Sequence, residues 1–166
     1  MVAAQVGRPI LPKDYGVPEH TDGLLPWAHV TARLAAAKNY WICTTRPDGR
    51  PHTTPIWGVF FEGTIHFDGS PETRRGKNLA VNPAITVHLE SGDDVVIVEG
   101  TVSMITPPDR AFAERLAATY AAKYAALGYS PGPETWDGGG LYRVAHRTVI
   151  AWTKFPTDMT RWQFLA

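Results

Sequence analysis

The sequence predicts a mainly β domain of the α+β class, in which six or more short antiparallel strands form a closed or half-closed barrel with two or three flanking helices. Aromatic and β-branched runs alternate with Gly, Asp and Pro turns over most of the chain. Its 166 residues are enough for one core, and closing short strands into a barrel removes exposed sheet edges. We expect one domain over residues 23–166, preceded by an irregular arm over residues 1–22.

The first half of the chain is predicted to hold one helix and three strands. Apolar residues at helical spacing predict a helix over residues 24–38, with Asp22 as its cap and Pro26 in its first turn. Strands are then predicted over residues 40–46, 51–61 and 64–69. Pro55 interrupts the second strand, and because proline donates no ladder hydrogen bond, this point is expected at a sheet edge or a bulge.

The second half begins with a polar segment, residues 70–83, that predicts one or two helical turns ending before a proline. A longer helix is expected from a cap at Thr106 to about Leu127, because aromatic and leucine side chains recur there at intervals of four. Residues 128–140 read as a loop. Strands are predicted over residues 84–90, 94–105, 141–146, 147–153 and 160–165.

Composition excludes several classes of function. The formal net charge is zero, which argues against a general nucleic-acid binder. Cys43 is the single cysteine, so an intramolecular disulfide and a thiolate metal site are excluded, and a reducing cytoplasm is expected. The histidines do not show metal-site spacing, so no metal is predicted. No apolar run has the length of a membrane helix, and the N-terminus has no signal-like segment.

The segment from Thr73 to Asn78 contains the strongest candidate for a binding site. Arg74, Arg75 and Lys77 open a helical turn directly after a strand. Helix-start amides and guanidinium groups together bind phosphate or carboxylate. A solvated basic turn is the alternative.

Aromatic residues and histidines give a weaker signal. Four tryptophans lie in or beside predicted strands, more than a small barrel interior holds, so some are expected to line a planar ligand or a subunit interface. Core packing is the alternative for each of them: Trp41, Trp57, Trp152 and Trp162. His52 and His66 are expected across one hairpin, where an imidazole facing a pocket could donate a proton; solvent-facing strand histidines are the alternative.

Three motifs in this order resemble the pyridoxamine 5′-phosphate oxidase-like superfamily, and more closely its branch of flavin/deazaflavin-dependent oxidoreductases. They are the hairpin WICTTRPDGRPHTTPIWGVFF, the segment TRRGKNLAVNPAITVHLE followed by VEGTVSMI, and the ending VIAWTKFPTDMTRWQF. The resemblance extends from Trp27 to Phe164. It implies a split β-barrel of the FMN-binding type, assembled as a homodimer with two sites at the interface.

The resemblance also implies roles for individual residues. Thr73, Arg74 and Arg75 match a triplet that holds the cofactor phosphate, and the positions just behind it also border the cofactor. The other residues implied to bind cofactor are Lys77 and Asn78 behind the triplet, His52, Thr53, Thr54 and Pro55 beneath the ring, and Trp152 and Arg161 from the neighbouring subunit.

Departures from the family pattern narrow the expected chemistry. Pyridoxamine phosphate oxidases carry an Arg and a Lys where this chain has Thr54 and Val59. They also carry substrate-binding Arg and His residues where it has Thr157 and Met159, so oxidation of vitamin B6 is not expected. A basic cluster of Arg74, Arg75 and Lys77, joined by Arg50, would suit the longer acidic tail of a deazaflavin.

The expected function is therefore an F420-dependent oxidoreductase that transfers a hydride to or from a small organic substrate. Two alternatives stay open: an FMN-binding oxidase or reductase, and a non-catalytic carrier of a flavin, deazaflavin or tetrapyrrole. His52 and Tyr142 are the candidate proton donors.

Overall fold

A computed structural model describes residues 4–164 as nine antiparallel strands and three α-helices, which confirms the predicted fold class. The strands are β1 (Ala4–Gly7), β2 (Tyr40–Thr45), β3 (Pro51–Ile56), β4 (Gly58–Phe61), β5 (Thr64–Asp68), β6 (Ala84–His88), β7 (Val95–Ile105), β8 (Leu141–Trp152) and β9 (Thr160–Phe164). The helices are α1 (Trp27–Ala36), α2 (Arg74–Val81) and α3 (Arg110–Tyr124). The strands are ordered β1-β9-β8-β7-β6-β2-β3 across the sheet, and β5 pairs with both β4 and β8.

One long strand, β8, joins the two parts of the split barrel. Its first residues pair with β5 and its last residues with β9, while β7 runs along its whole length. The prediction of two strands over 141–146 and 147–153 is wrong, because the irregularity there is a register shift opposite Glu99 and Gly100 and not a turn. Gly100 is required at this bulge, since a Cβ atom would overlap the carbonyl oxygen of Ala145.

The predicted single strand over residues 51–61 is also wrong, since the chain leaves one pairing for another at Trp57. β3 pairs with β2, whereas β4 pairs with β5. Gly58 makes this change possible, because a side chain there would lie 2.8 Å from the backbone oxygen of His66. The Tyr124 hydroxyl accepts a hydrogen bond from the Gly58 N–H at 3.1 Å. The expected edge position of Pro55 is confirmed, since β3 ends the sheet.

The helix starts differ from the predicted caps. α1 begins at Trp27 after Pro26, and no side chain caps it, so Asp22 has no capping role. α3 is capped by Asp109, whose carboxylate accepts from the Phe112 N–H at 3.0 Å, and Thr106 lies outside the helix. None of the helices within residues 4–164 is long and apolar enough to cross a membrane.

The N-terminal arm is fastened to the end of the chain. β1 within it pairs with β9, so part of the predicted irregular arm is regular. The Arg8 guanidinium donates to the carbonyl oxygens of His20 (3.0 Å) and Asp22 (2.5 Å) in the arm. It also donates to those of Thr157 (2.9 Å) and Met159 (3.0 Å) between β8 and β9. One side chain therefore ties the arm to the β8–β9 connection.

Two apolar clusters form the core. The larger one lies inside the sheet and under α1, where Val30, Leu34 and Trp162 are buried. The smaller one lies between α3 and β4–β5. It contains Leu116, Tyr120 and Tyr124, which are among the leucine and aromatic residues whose spacing of four predicted this helix. Helix α3 therefore packs against β4 and β5.

Candidate functional site

The basic segment forms the start of α2, as the sequence predicts. The Thr73 hydroxyl accepts from the Gly76 N–H at 3.1 Å and donates to the Ser70 carbonyl oxygen at 2.8 Å. A residue larger than glycine at position 76 would overlap the backbone of Pro71. The segment is therefore held in a tight capped turn, and its arginines project from a fixed backbone.

The two arginines of this turn differ in burial. Arg74 is exposed, whereas Arg75 is half-buried. The Arg75 guanidinium donates to the Asp68 carbonyl oxygen at 3.3 Å and lies 5.9 Å from the centre of the Phe67 ring. Burial lowers the pKa of Arg75, but a guanidinium remains charged at neutral pH. Arg75 is thus the inner cation and Arg74 the outer one.

A third cation, Arg46, joins this pair from the β2–β3 hairpin. Ile42 and Thr44 alternate toward the buried face of β2, and continued alternation directs Arg46 to the face that α2 covers. His52 pairs with Thr44 across the hairpin. Burial and then the charges of Arg46, Arg74 and Arg75 lower the pKa of His52. The imidazole is therefore neutral at pH 7.

Sequence reasoning missed Arg46 and considered Arg50 in its place. Arg50 forms an ion pair with Asp48 of the same hairpin at 2.8 Å. Arg46 and Arg50 face each other across the hairpin, where the Arg46 N–H donates to the Arg50 carbonyl oxygen at 2.9 Å, so register alone does not separate them. The ion pair of Arg50 with Asp48 does.

The three clustered arginines lack acidic partners. Within residues 4–164, none of Arg46, Arg74 and Arg75 forms an ion pair with a carboxylate. The Nε atoms of Arg46 and Arg75 and the Nδ1 atom of His52 are buried without a hydrogen-bond partner. Lys77 differs, since its ammonium pairs with Glu72 at 3.1 Å. Buried unpartnered donors are costly unless a ligand satisfies them, so this cluster is suited to an anion.

Asn78 has a different environment from the rest of the predicted site. Its side chain is 0% exposed, and its amide donates to the Thr44 hydroxyl at 3.0 Å. The contact fixes α2 against β2, and thereby fixes the distance between the α2 arginines and the hairpin that carries Arg46.

The free edge of β3 leads away from the arginine cluster. Thr53 and Pro55 are exposed on the outer side of this edge strand, while His52 and Thr54 are half-buried. At the far end lies a cavity of about 310 Å³, lined by Asn39, Pro55, Ile56 and Trp57. From His52 to Ile56 the strand extends about 13 Å at 3.3 Å per residue.

Trp152 and Arg161 lie elsewhere in the same chain. Both are half-buried and alternate with buried neighbours, which places them on the outer face of the sheet. Four strand spacings of about 4.8 Å each separate β8 from β3. The same face carries a groove of about 450 Å³ whose lining includes Cys43, Glu99 and Arg147. One chain therefore does not bring Trp152 and Arg161 to the arginine cluster.

The candidate proton donors are not equivalent. Tyr142 is buried, stacks on Phe67 with ring centres 5.0 Å apart, and has a pKa that burial raises. His52 is neutral, as described above. His66 is not across a hairpin from His52, because its strand β5 pairs with β4 and β8. Burial lowers the pKa of His66 to about 4.

The tryptophans divide between core and surface. Trp162 is buried in the larger core cluster. Trp57 stacks on Tyr124 at 4.9 Å, and Trp41 stacks on His88 at 6.2 Å on the outer face. Within residues 4–164, no three His, Cys, Asp or Glu side chains are grouped so that they could hold a metal ion.

Comparison with known proteins relates the chain to one family. Residues 27–153 match the family model described as pyridoxamine 5′-phosphate oxidase. Among curated protein sequences, none matches significantly.

Solved structures share the fold at low identity. A conserved hypothetical protein, Rv2991 from Mycobacterium tuberculosis, superposes with a TM-score of 0.63 at 17% identity, over 81% of this chain and 89% of that one. A structure described as an F420 reductase superposes with a TM-score of 0.54 at 20% identity, over 71% of this chain and 93% of that one. A heme binding protein from Mycobacterium smegmatis superposes with a TM-score of 0.59 at 19% identity, over 84% of this chain and 59% of that one.

Proposed function

Because the chain belongs to the pyridoxamine 5′-phosphate oxidase family, we propose that it binds the deazaflavin F420 between two copies of itself and acts as an oxidoreductase on a small organic substrate. The observation that carries this proposal is the arginine cluster: three guanidinium groups, at the start of α2 and on the facing hairpin, that form no ion pair with a carboxylate of residues 4–164. A cofactor with an acidic tail satisfies these donors, and an F420 reductase has the same fold.

The free edge of β3 supports a position for the ring in this proposal. A tail held by Arg74 and Arg75 places the ring along the strand from His52 toward the cavity at Trp57. The backbone groups on the open side of an edge strand are available to a heterocycle. The strand is also long enough, at about 3.3 Å per residue, to support a flat ring beyond its linker.

The homodimer is part of the proposal because two residues of the predicted site, Trp152 and Arg161, lie far from the arginine cluster. Trp152 and Arg161 would reach the ring only from a second copy. The outer sheet face suits such a contact, since Trp41, Ile97 and Ile150 are half-buried there. Glu99 and Arg147 in its groove carry opposite charges, so a two-fold contact can pair each with the other.

The residues of this chain position and insulate the cofactor. When bound, F420 supplies the hydride chemistry. Thr73, Arg74 and Arg75 hold the tail, and β3 supports the ring. His52 is neutral in the arginine field, so it can accept a proton but does not carry one as an imidazolium at pH 7. Tyr142 keeps its proton at pH 7 because burial raises its pKa, and for the same reason it gives up that proton less readily than an exposed tyrosine.

Vitamin B6 oxidation does not fit the side chains. Val59 is buried in the core beneath α3, and Met159 is buried between β8 and β9. Neither can bind a phosphate as a cation does. The oxidoreductase proposed here is therefore not a pyridoxamine phosphate oxidase, although it shares the family fold.

Two other cofactors are the alternatives. FMN is favoured by the family match, and its single phosphate could also occupy the arginine cluster. Heme is favoured by the fold shared with a heme binding protein, and would make the chain a carrier. A heme ligand must come from an accessible histidine. His66 is excluded by its burial, whereas His88 on the outer face is half-buried.

Titration of the purified protein with F420, FMN and heme separates these functions. Tryptophan fluorescence reports binding, and turnover of quinone or enone acceptors reports catalysis. We expect tight binding of F420 with turnover. Tight FMN binding without an F420 response, a Soret band with heme alone, or binding without turnover would each refute the first proposal.

Substitution of both α2 arginines tests the location of the tail. Arg74→Ala with Arg75→Ala removes two charge-assisted contacts and should weaken F420 binding by about 3 kcal/mol, or more than a hundredfold. Arg110→Ala with Arg115→Ala on α3 is the matched control, since those arginines pair with Glu114 and Glu62. Unchanged affinity in the first double variant would place the tail elsewhere.

A further inference from the structure

We propose that Lys123 of α3 is a reactive amine, and that it forms an imine with small aldehydes or ketones that enter the cavity at Trp57. The proposed F420 chemistry does not use this residue, so the two proposals are independent. Lys123 is the one half-buried lysine of the five in the chain, since the other four are exposed: Lys13, Lys38, Lys77 and Lys154.

Two hydrogen bonds fix the position of the Lys123 nitrogen. Nζ donates to the Tyr40 hydroxyl at 3.1 Å and to the Gly58 carbonyl oxygen at 3.0 Å. The Tyr40 hydroxyl donates its own proton to the Leu34 carbonyl oxygen, so toward Lys123 it acts as an acceptor. A neutral amine has two N–H groups and one lone pair. The neutral form therefore satisfies both acceptors and keeps its lone pair for an electrophile.

The surroundings of Nζ are aromatic. The nitrogen lies 4.8 Å from the centre of the Tyr40 ring and 5.3 Å from that of the Tyr124 ring. Within residues 4–164, no carboxylate forms an ion pair with Lys123. Burial removes water from the ammonium and lowers the pKa of Lys123 to about 8. A desolvated lysine without a counter-ion is suited to act as a nucleophile near neutral pH.

The amine borders the residues that form the cavity at the end of β3. Its two acceptors directly follow lining residues, since Tyr40 follows Asn39 and Gly58 follows Trp57. Three of the four lining side chains are those of proline, isoleucine and tryptophan, and the volume of about 310 Å³ admits a small molecule. The expected ligand is therefore a carbonyl compound with a small, apolar body.

Imine formation at Lys123 balances without an oxidant or a reductant. The lone pair of neutral Nζ attacks the carbonyl carbon, and a C–N bond forms. The carbonyl oxygen then leaves as water together with both hydrogens of the amine. A protonated imine carries one N–H group, which can donate to the Gly58 carbonyl oxygen that the amine already contacts.

Labelling of the intact wild-type chain with benzaldehyde and cyanoborohydride tests the proposal. Cyanoborohydride reduces the imine to a stable secondary amine, and peptide mass spectrometry gives the labelling rate of each lysine. Lys38 is the internal control, because it is exposed and directly precedes the lining residue Asn39. At pH 7, Lys123 should be labelled at least tenfold faster than Lys38. A ratio below tenfold would overturn the proposal, and is the result expected of a cation that the Tyr40 and Tyr124 rings keep protonated.

The pH dependence of this ratio separates a deprotonated amine from one that is merely accessible. Exposed lysines titrate at about pH 10.4, so raising the pH from 7 to 9.5 should reduce the ratio at least fivefold. The titratable groups that face Nζ are Tyr40 of β2 and Tyr124 of α3, and both keep their protons over this range because burial raises the pKa of each. A smaller decrease would contradict the proposal.

A second aldehyde tests the role of the cavity. Because the lining is mostly apolar, benzaldehyde should give a ratio of Lys123 to Lys38 labelling at least threefold larger than polar glyceraldehyde does. A difference below threefold would refute the cavity as the place where the carbonyl compound binds. All of these rates are measured on wild type without cofactor, so they depend neither on the folding of a variant nor on F420 binding.

Discussion

Asp158 closes the connection between β8 and β9, and its removal should lower the stability of the barrel. The carboxylate accepts hydrogen bonds from the Thr153 N–H at 3.1 Å, the Thr153 hydroxyl at 2.5 Å and the Lys154 N–H at 2.8 Å. Asp158 is buried, so water replaces these bonds poorly. With three donors at about 1 kcal/mol each, Asp158→Ala should reduce the free energy of unfolding by about 3 kcal/mol at pH 7.

The charge of Asp158 gives this loss a pH dependence. Burial opposes the ionised form, but the hydrogen bonds from Thr153 and Lys154 outweigh it and lower the pKa of Asp158. A lowered folded-state pKa stabilises the protein fully above the unfolded value of about 3.9 and ceases to do so as the pH falls through the folded value. The difference between wild type and Asp158→Ala should therefore shrink below about pH 4.

Urea unfolding of wild type and Asp158→Ala at pH 7 and pH 3 measures both effects. Asp93→Ala is the matched control, because Asp93 lies exposed in the β6–β7 turn and its carboxylate forms no ion pair or hydrogen bond within residues 4–164. A loss below 1 kcal/mol at pH 7, or one that is the same at both pH values, would refute the role assigned to the Asp158 carboxylate.

Two further predictions concern the interior. His66→Leu should make the stability of the protein less sensitive to acid. The pKa of His66 is about 4 in the folded protein and about 6.5 in the unfolded chain, so acid protonates the unfolded chain first. Wild type should therefore lose up to about 2 kcal/mol of its free energy of unfolding between pH 7 and pH 5. Urea unfolding at the two pH values measures it, and an equal loss in both proteins would contradict it. Gly100→Ala should cost about 1–3 kcal/mol because its Cβ would overlap the Ala145 carbonyl oxygen, whereas Gly92→Ala has open space and should cost little. Equal melting temperatures of the two glycine variants would refute the close approach.

The strands with strong local signals could be predicted from the sequence. β2 and the start of β3 flank an Asp-Gly turn, and their register follows from it. The break at Trp57 could not be predicted, because it depends on the approach of the His66 backbone to Gly58, far along the chain. The continuity of β8 could not be predicted either, because its bulge depends on the pairing with β7.

The candidate site also has residues that the sequence predicts and residues that it does not. Thr73, Arg74 and Arg75 are adjacent in sequence, so a helix start with two cations could be predicted from local chemistry alone. The contribution of Arg46 could not, because it depends on the side of β2 against which α2 packs. Asn78 shows the opposite case: its sequence neighbourhood indicates a ligand contact, while burial directs its amide to Thr44.

The fastening of the arm by Arg8 has a consequence for tolerance to mutation. Every acceptor of its guanidinium is a main-chain carbonyl, contributed by His20, Asp22, Thr157 and Met159. Replacing any of those four side chains leaves the acceptor in place, so divergence there is compatible with an attached arm. Position 8 has no such freedom: a change there removes all four of these hydrogen bonds at once and leaves the arm held by the pairing of β1 with β9.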